Sequence, residues 1–139
     1  MKLSRPVAFR AGVLAIIAVI GLQTFNGAVC YHQNVSSYLE ALLIFVSPAL
    51  VIAAIALLTS NPLRAVGACV FFAPWLMLAY YTDCVAPYSG GGASMIYVVV
   101  LLWGVPSALI GALVSGPLFK VLGIEVVDAS SRKNSASAP

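Results

Sequence analysis

The stretch YYTDCVAPYSGGG, residues 80–92, sets Asp83 beside Cys84 just ahead of three consecutive glycines. A carboxylate next to a thiol in a pliable loop suggests a nucleophile with its base, or a thiol that exchanges disulfides. Either chemistry needs a further group. His32 is the only histidine, and of the three cysteines, Cys30, Cys69 and Cys84, no two stand in a CxxC pair. Disulfide-generating membrane oxidoreductases carry such a pair, so redox catalysis is not expected. The sequence offers no metal-ligand set, no nucleotide-binding loop and no nucleophile–base motif. The expectation is a non-enzymatic protein with no catalytic residue, no metal, no cofactor and no nucleic-acid partner.

The elements that position these residues are membrane spans. Hydrophobic residues make up 62% of the 139 and charged residues 8%, against roughly 25% charged in a soluble domain. Crossing about 30 Å of hydrocarbon at 1.5 Å per residue takes roughly 20 apolar residues. Four stretches qualify, at about 7–25, 39–59, 63–81 and 95–122. The last is long enough to imply tilt or an interfacial extension. The expected fold is all-α: a polytopic four-transmembrane-helix bundle over residues 1–127, followed by a small, polar, disordered cytoplasmic tail at 128–139.

Charge placement sets the expected orientation. Lys2, Arg5, Arg10, Arg64, Lys120, Arg132 and Lys133 are the seven basic residues, and all fall on the side that holds both termini. Glu40 and Asp83 fall on the other side. The positive-inside rule then predicts an N-in/C-in protein of the bacterial inner membrane. All six tyrosines lie in or beside the two outer loops. An aromatic belt at the headgroup layer accounts for them, and a binding surface is the alternative. The first span could also read as a signal peptide, with a basic start and the run AGVLAIIAVIGL. Asn26 is poor at the best cleavage site, and Val29 is poor ahead of Cys30 in a lipoprotein box, which favours an uncleaved helix.

Topology built without the cysteines leaves Cys30 and Cys84 on one side and Cys69 within the third span. A Cys30–Cys84 disulfide would tie the two outer loops, with two free thiols as the alternative. Asn34-Val35-Ser36 is a glycosylation sequon, relevant only in a eukaryotic secretory context. Within the spans, Gln23, Ser47, Cys69 and Ser107 are the notable polar groups, and ionisable residues sit only near span ends. That pattern argues against proton-coupled transport. Pro48, Pro74 and Pro106 fall near the middle of three spans. They read either as helix breaks lining a polar cavity or gate, or as ordinary kinks. In span four Gly104, Ala108, Ala112 and Gly116 recur every four residues, beside Ser107, Gly111 and Ser115. Two such columns form a packing face for another backbone, from this chain or a second protein.

In its size, four spans and N-in/C-in topology the chain resembles small bacterial inner-membrane immunity proteins, which neutralise membrane-targeting toxins. The resemblance implies a membrane or periplasmic protein partner, such as a cognate toxin, that meets the helices within the bilayer or at its outer face. Tyr31, Glu40, Tyr81, Asp83 and Tyr88 are the candidate outer-face docking residues. An accessory subunit of a membrane complex fits the same features. A small oligomeric channel or transporter, gated at the prolines, is the alternative.

Overall fold

The computed structural model describes residues 2–86 and 95–127. Four helices long and apolar enough to cross a membrane make up most of it: α1 Arg5–Cys30, α2 Val35–Leu58, α3 Leu63–Val85 and α4 Ile96–Val121. The protein is an all-α, multi-pass membrane bundle. Pro87, Tyr88, the glycine run at 90–92 and the tail at 128–139 lie outside the described residues.

Apolar residues are distributed inside out. Leu14, Ile17, Leu43, Ile55, Leu102, Trp103 and Leu113 are exposed, whereas Ala49, Ala53, Ala65, Ala68, Ala79 and Ala108 are buried. Lipid tails solvate large side chains as well as the core does, so helices associate through close backbone packing of small residues. Helix α3 is central, touches the other three, and has the most enclosed apolar stretch. Phe72 and Leu76 of α3, Val46 of α2 and Val100 of α4 are each at most 1% exposed and fill the middle of the bundle.

The small-residue face of span four packs on α3 of the same chain. Gly104, Ala108, Gly111, Ala112 and Ser115 are buried and Gly116 is half-buried. A Cβ added to Gly67 of α3 would sit 2.5 Å from the Gly111 carbonyl oxygen and would strike Ser115. A Cβ at Gly111 would run into the Gly67 backbone and come within 2.8 Å of the Phe71 Cβ. A Cβ at Gly104 would lie 2.9 Å from the Phe72 ring. This face is used inside the bundle.

The prolines do not break their helices, which corrects one reading of the sequence. Wide π turns at Leu42–Val46 and Val100–Gly104 stand just ahead of Pro48 and Pro106. An extra residue per turn lets a helix pass a position that has no N–H. The Ser47 N–H reaches back to the Leu42 carbonyl, and the Ser47 hydroxyl donates to the Leu43 carbonyl at 2.5 Å. Helix α3 runs on through Pro74. Pro74 and Pro106 are exposed and Pro48 is half-buried, so two of the three point away from the bundle interior. Ser107 accepts a hydrogen bond from Trp75 Nε1 at 3.1 Å.

A short parallel strand pair ties the two ends of the domain. Strand β1 (Lys2–Ser4) pairs with β2 (Glu125–Val127), with Lys2 opposite Glu125. Gly123, at φ +71°, turns the chain out of α4 towards β2. Its N–H bonds the Lys120 carbonyl while the Ile124 N–H bonds the Phe119 carbonyl, a Schellman close that glycine adopts without Cβ strain. Both described ends therefore lie on one side of the bundle, here the termini side. The opposite end is the cap side.

Candidate functional site

The cap-side helix ends are more extended than apolar runs alone predict. Helix α1 continues from Phe25 through a π turn at Asn26–Cys30, and α3 continues from Tyr80 through one at Tyr81–Val85. Cys30 and Cys84 thus sit on helix ends rather than in loops, with Cα atoms 5.7 Å apart and a disulfide between them. That separation lies well within the span of ordinary disulfides. The loop from α1 to α2 is consequently short, and His32 takes it round at a left-handed φ of +46°. Asn34 caps α2, accepting the Ser37 N–H at 2.8 Å, so the sequon asparagine serves as a helix cap here.

Beneath the disulfide lies a polar cluster built by α1, α3 and α4, with a ring of α2 packed against it. Gln23 and Asn26 of α1 are both 0% exposed. Asn26 Nδ2 donates to the Leu76 carbonyl of α3 at 3.0 Å. Tyr97 of α4 donates its hydroxyl to Gln23 Oε1 at 3.2 Å. The Tyr97 ring packs against Phe45 of α2 at 5.3 Å and edge-on against Tyr31 at 5.5 Å. Tyr31 in turn donates to the Asp83 carboxylate. Burial pushes the Tyr31 phenol above its ordinary value, and the bond to Asp83 adds to this, followed by the nearby Tyr97 and Asp83 charges. Gln23 Nε2 and Asn26 Oδ1 are buried without a partner among the described residues, as is Gln33 Oε1. A hydrogen bond anchors α2 to α1, between the Tyr38 hydroxyl and Thr24 Oγ1 at 2.8 Å.

The five candidate docking residues separate in this geometry. Tyr31 and Asp83 are half-buried and bonded to each other, so they brace the cap and do not present a free surface. Glu40 is exposed, and Tyr81 is 56% exposed. Tyr88 lies outside the described residues. Cys84 is bonded to Cys30 and Asp83 to Tyr31, so both side chains that first suggested chemistry are engaged in the cap. Cys69 is buried in α3 and free. Among the described residues, no three His, Cys, Asp or Glu side chains gather as a metal-binding group.

From the sequence, Gln23 stands out as polar at membrane depth, whereas Asn26 bears only on a cleavage site and Tyr97 only on the tyrosine belt. One available signal was the spacing, since residues three apart share a helix face. Gln23 and Asn26 therefore lie on one face of α1, and a buried amide pair at membrane depth demands partners, which α4 and α3 supply.

The arrangement defines a multi-pass membrane protein with a disulfide-braced, tyrosine-rich end. Comparison with known protein families, with characterised proteins and with solved structures found no match for the chain.

Proposed function

We propose that this chain is a non-enzymatic membrane interaction protein whose cap side is its docking end. In its most concrete form it is an immunity protein that neutralises a membrane-targeting toxin, or an accessory subunit of a membrane complex. The bracing of the cap carries this reading. A disulfide, a buried polar cluster and the Tyr31–Asp83 bond hold four helix ends in one geometry while Tyr81 and Glu40 remain exposed. A surface fixed before binding loses less freedom on association than a mobile one, and tyrosine is a frequent binding anchor. The basic residues on the termini side support an N-in/C-in placement in the bacterial inner membrane, with the cap in the oxidising periplasm. The filled mid-bundle layer of Val46, Phe72, Leu76 and Val100, with Pro74 and Pro106 facing out, weighs against a pore through a single chain.

The test is recovery of a partner. Full-length tagged protein, solubilised from its native membranes in mild detergent, should retain a stoichiometric membrane or periplasmic protein. The double variant Glu40→Ala, Tyr81→Ala should lose it while keeping its helicity and its disulfide. In the immunity form, deletion should sensitise cells to siblings that secrete the toxin. Full retention of the partner by the double variant would exclude the cap surface. Solute flux through purified protein in liposomes would favour the channel alternative.

A further inference from the structure

At the termini side, α2 and α4 do not close on each other. Between them runs an apolar groove of about 180 Å³, flanked by Ile52 and Ile55 of α2 and by Leu109 and Leu113 of α4. Ile55 is 62% exposed and Leu113 59% exposed, so the groove opens sideways, where lipid tails lie. Its volume suits part of one acyl chain, not a whole lipid. Thr59 and Arg64 line the same groove. Arg64 is the second residue of α3, directly after the turn at Pro62, which puts it at the depth of the lipid headgroups.

The guanidinium is held in place. A Cβ on Gly116 of α4 would lie 2.7 Å from Arg64 Nε and 3.0 Å from Nη2, so the arginine rests flat on a residue with no side chain. Arg64 Nε is buried and has no partner among the described residues. The Thr59 hydroxyl is already engaged by the Ala56 and Asn61 carbonyls, which leaves the guanidinium as the groove's charged end. An acyl-sized apolar groove ending at headgroup depth in a cation with no partner among the described residues matches one amphiphile, a lipid with an anionic phosphate head. A planar guanidinium can meet two phosphate oxygens at once, which a lysine ammonium does not reproduce.

We propose that the α2–α4 groove is a binding site for one anionic phospholipid of the leaflet on the termini side, its phosphate on Arg64 and an acyl chain between α2 and α4. The site is independent of any partner at the cap.

Native mass spectrometry of the full chain in detergent tests this, with phosphatidylglycerol and phosphatidylcholine of identical acyl chains added in turn. One phosphatidylglycerol should be retained at least about five-fold more than phosphatidylcholine, the scale of one basic residue's pull on an anionic surface. Arg64→Gln should abolish that preference, and Arg64→Lys should keep only part of it. Arg10→Gln removes an exposed basic residue of α1 and should leave the preference unchanged. Ala56→Leu, which narrows the groove, should lower retention of either lipid while Arg64 remains. Helicity and the disulfide, read on each variant, show that the bundle is intact. Equal retention of both lipids by the wild type would overturn the proposal. So would a preference that survives Arg64→Gln, or one that Arg10→Gln removes equally.

Discussion

The two ends of the bundle are held by opposite means. Towards the termini, α3 and α4 meet backbone to backbone, with Gly67 against Gly111 and Ser115. At the cap, the helices are spaced by aromatic rings and joined by side-chain hydrogen bonds and one covalent bond. Close packing tolerates no added atom, because the neighbour is backbone and cannot rotate away. A polar cluster tolerates substitution better, since each bond inside a membrane protein is worth only about 0.6 kcal/mol on average. The packed end should therefore be brittle and the cap resilient until its disulfide is cut.

The largest effect is expected at Gly111. Gly111→Leu drives a side chain into the Gly67 backbone, and overpacking against fixed atoms costs about 3 kcal/mol or more. Unfolding in mixed detergent micelles should show this loss, with the disulfide still formed. A wild-type-like transition would mean that α3 and α4 are free to separate. Next comes the cap. Cys30→Ser with Cys84→Ser removes a link between residues 54 apart in sequence, and should cost about 2 kcal/mol. That is the low end for a disulfide, because spans confined to a bilayer keep less chain freedom when unfolded. The same micelle titration, with and without reductant, reads it.

These contrasts show which parts of the molecule the sequence carries. The four spans are legible because hydrocarbon thickness demands a run of apolar residues, and each run here supplies it. The small columns of span four are legible because helical periodicity places Gly111 and Ser115 on one face. Which helix they meet is not, since Gly67 is one glycine among the eleven of the chain. The side shared by Cys30 and Cys84 follows from counting spans. Their place on helix ends does not, because hydropathy stops at Asn26 and Thr82 where the backbone continues in π turns. Asn26, Gln23 and Tyr97 form one cluster across a separation of 74 residues. No local pattern encodes that, nor the pairing of Lys2–Ser4 with Glu125–Val127.

A smaller effect sharpens the picture inside the cap. Asn26→Leu removes the bond to the Leu76 carbonyl, and Gln23→Leu removes the acceptor of Tyr97. Each also removes a buried amide atom that has no partner among the described residues, Oδ1 of Asn26 and Nε2 of Gln23, so each should lie within about 1 kcal/mol of wild type. A clearly larger loss from either would mean that its second amide atom has a partner, such as a bound water.

The smallest effect is expected at Tyr31, and it is visible chiefly in alkaline solution. The folded chain holds the Tyr31 proton more tightly than the ordinary value of 10.0, through burial first and the bond to Asp83 second. As pH rises past that ordinary value, the unfolded chain releases the proton before the folded chain does. The contribution of Tyr31 is thus complete below the unfolded value and drains away above it. Stability should be level from about pH 8 to about pH 9 and should then fall. Tyr31→Phe should cost less than about 1 kcal/mol at neutral pH, the scale of one part-exposed hydrogen bond. It should also flatten the alkaline decline. A decline of unchanged slope in Tyr31→Phe would assign it to other tyrosines and leave the Tyr31–Asp83 bond without a measurable share in holding the cap.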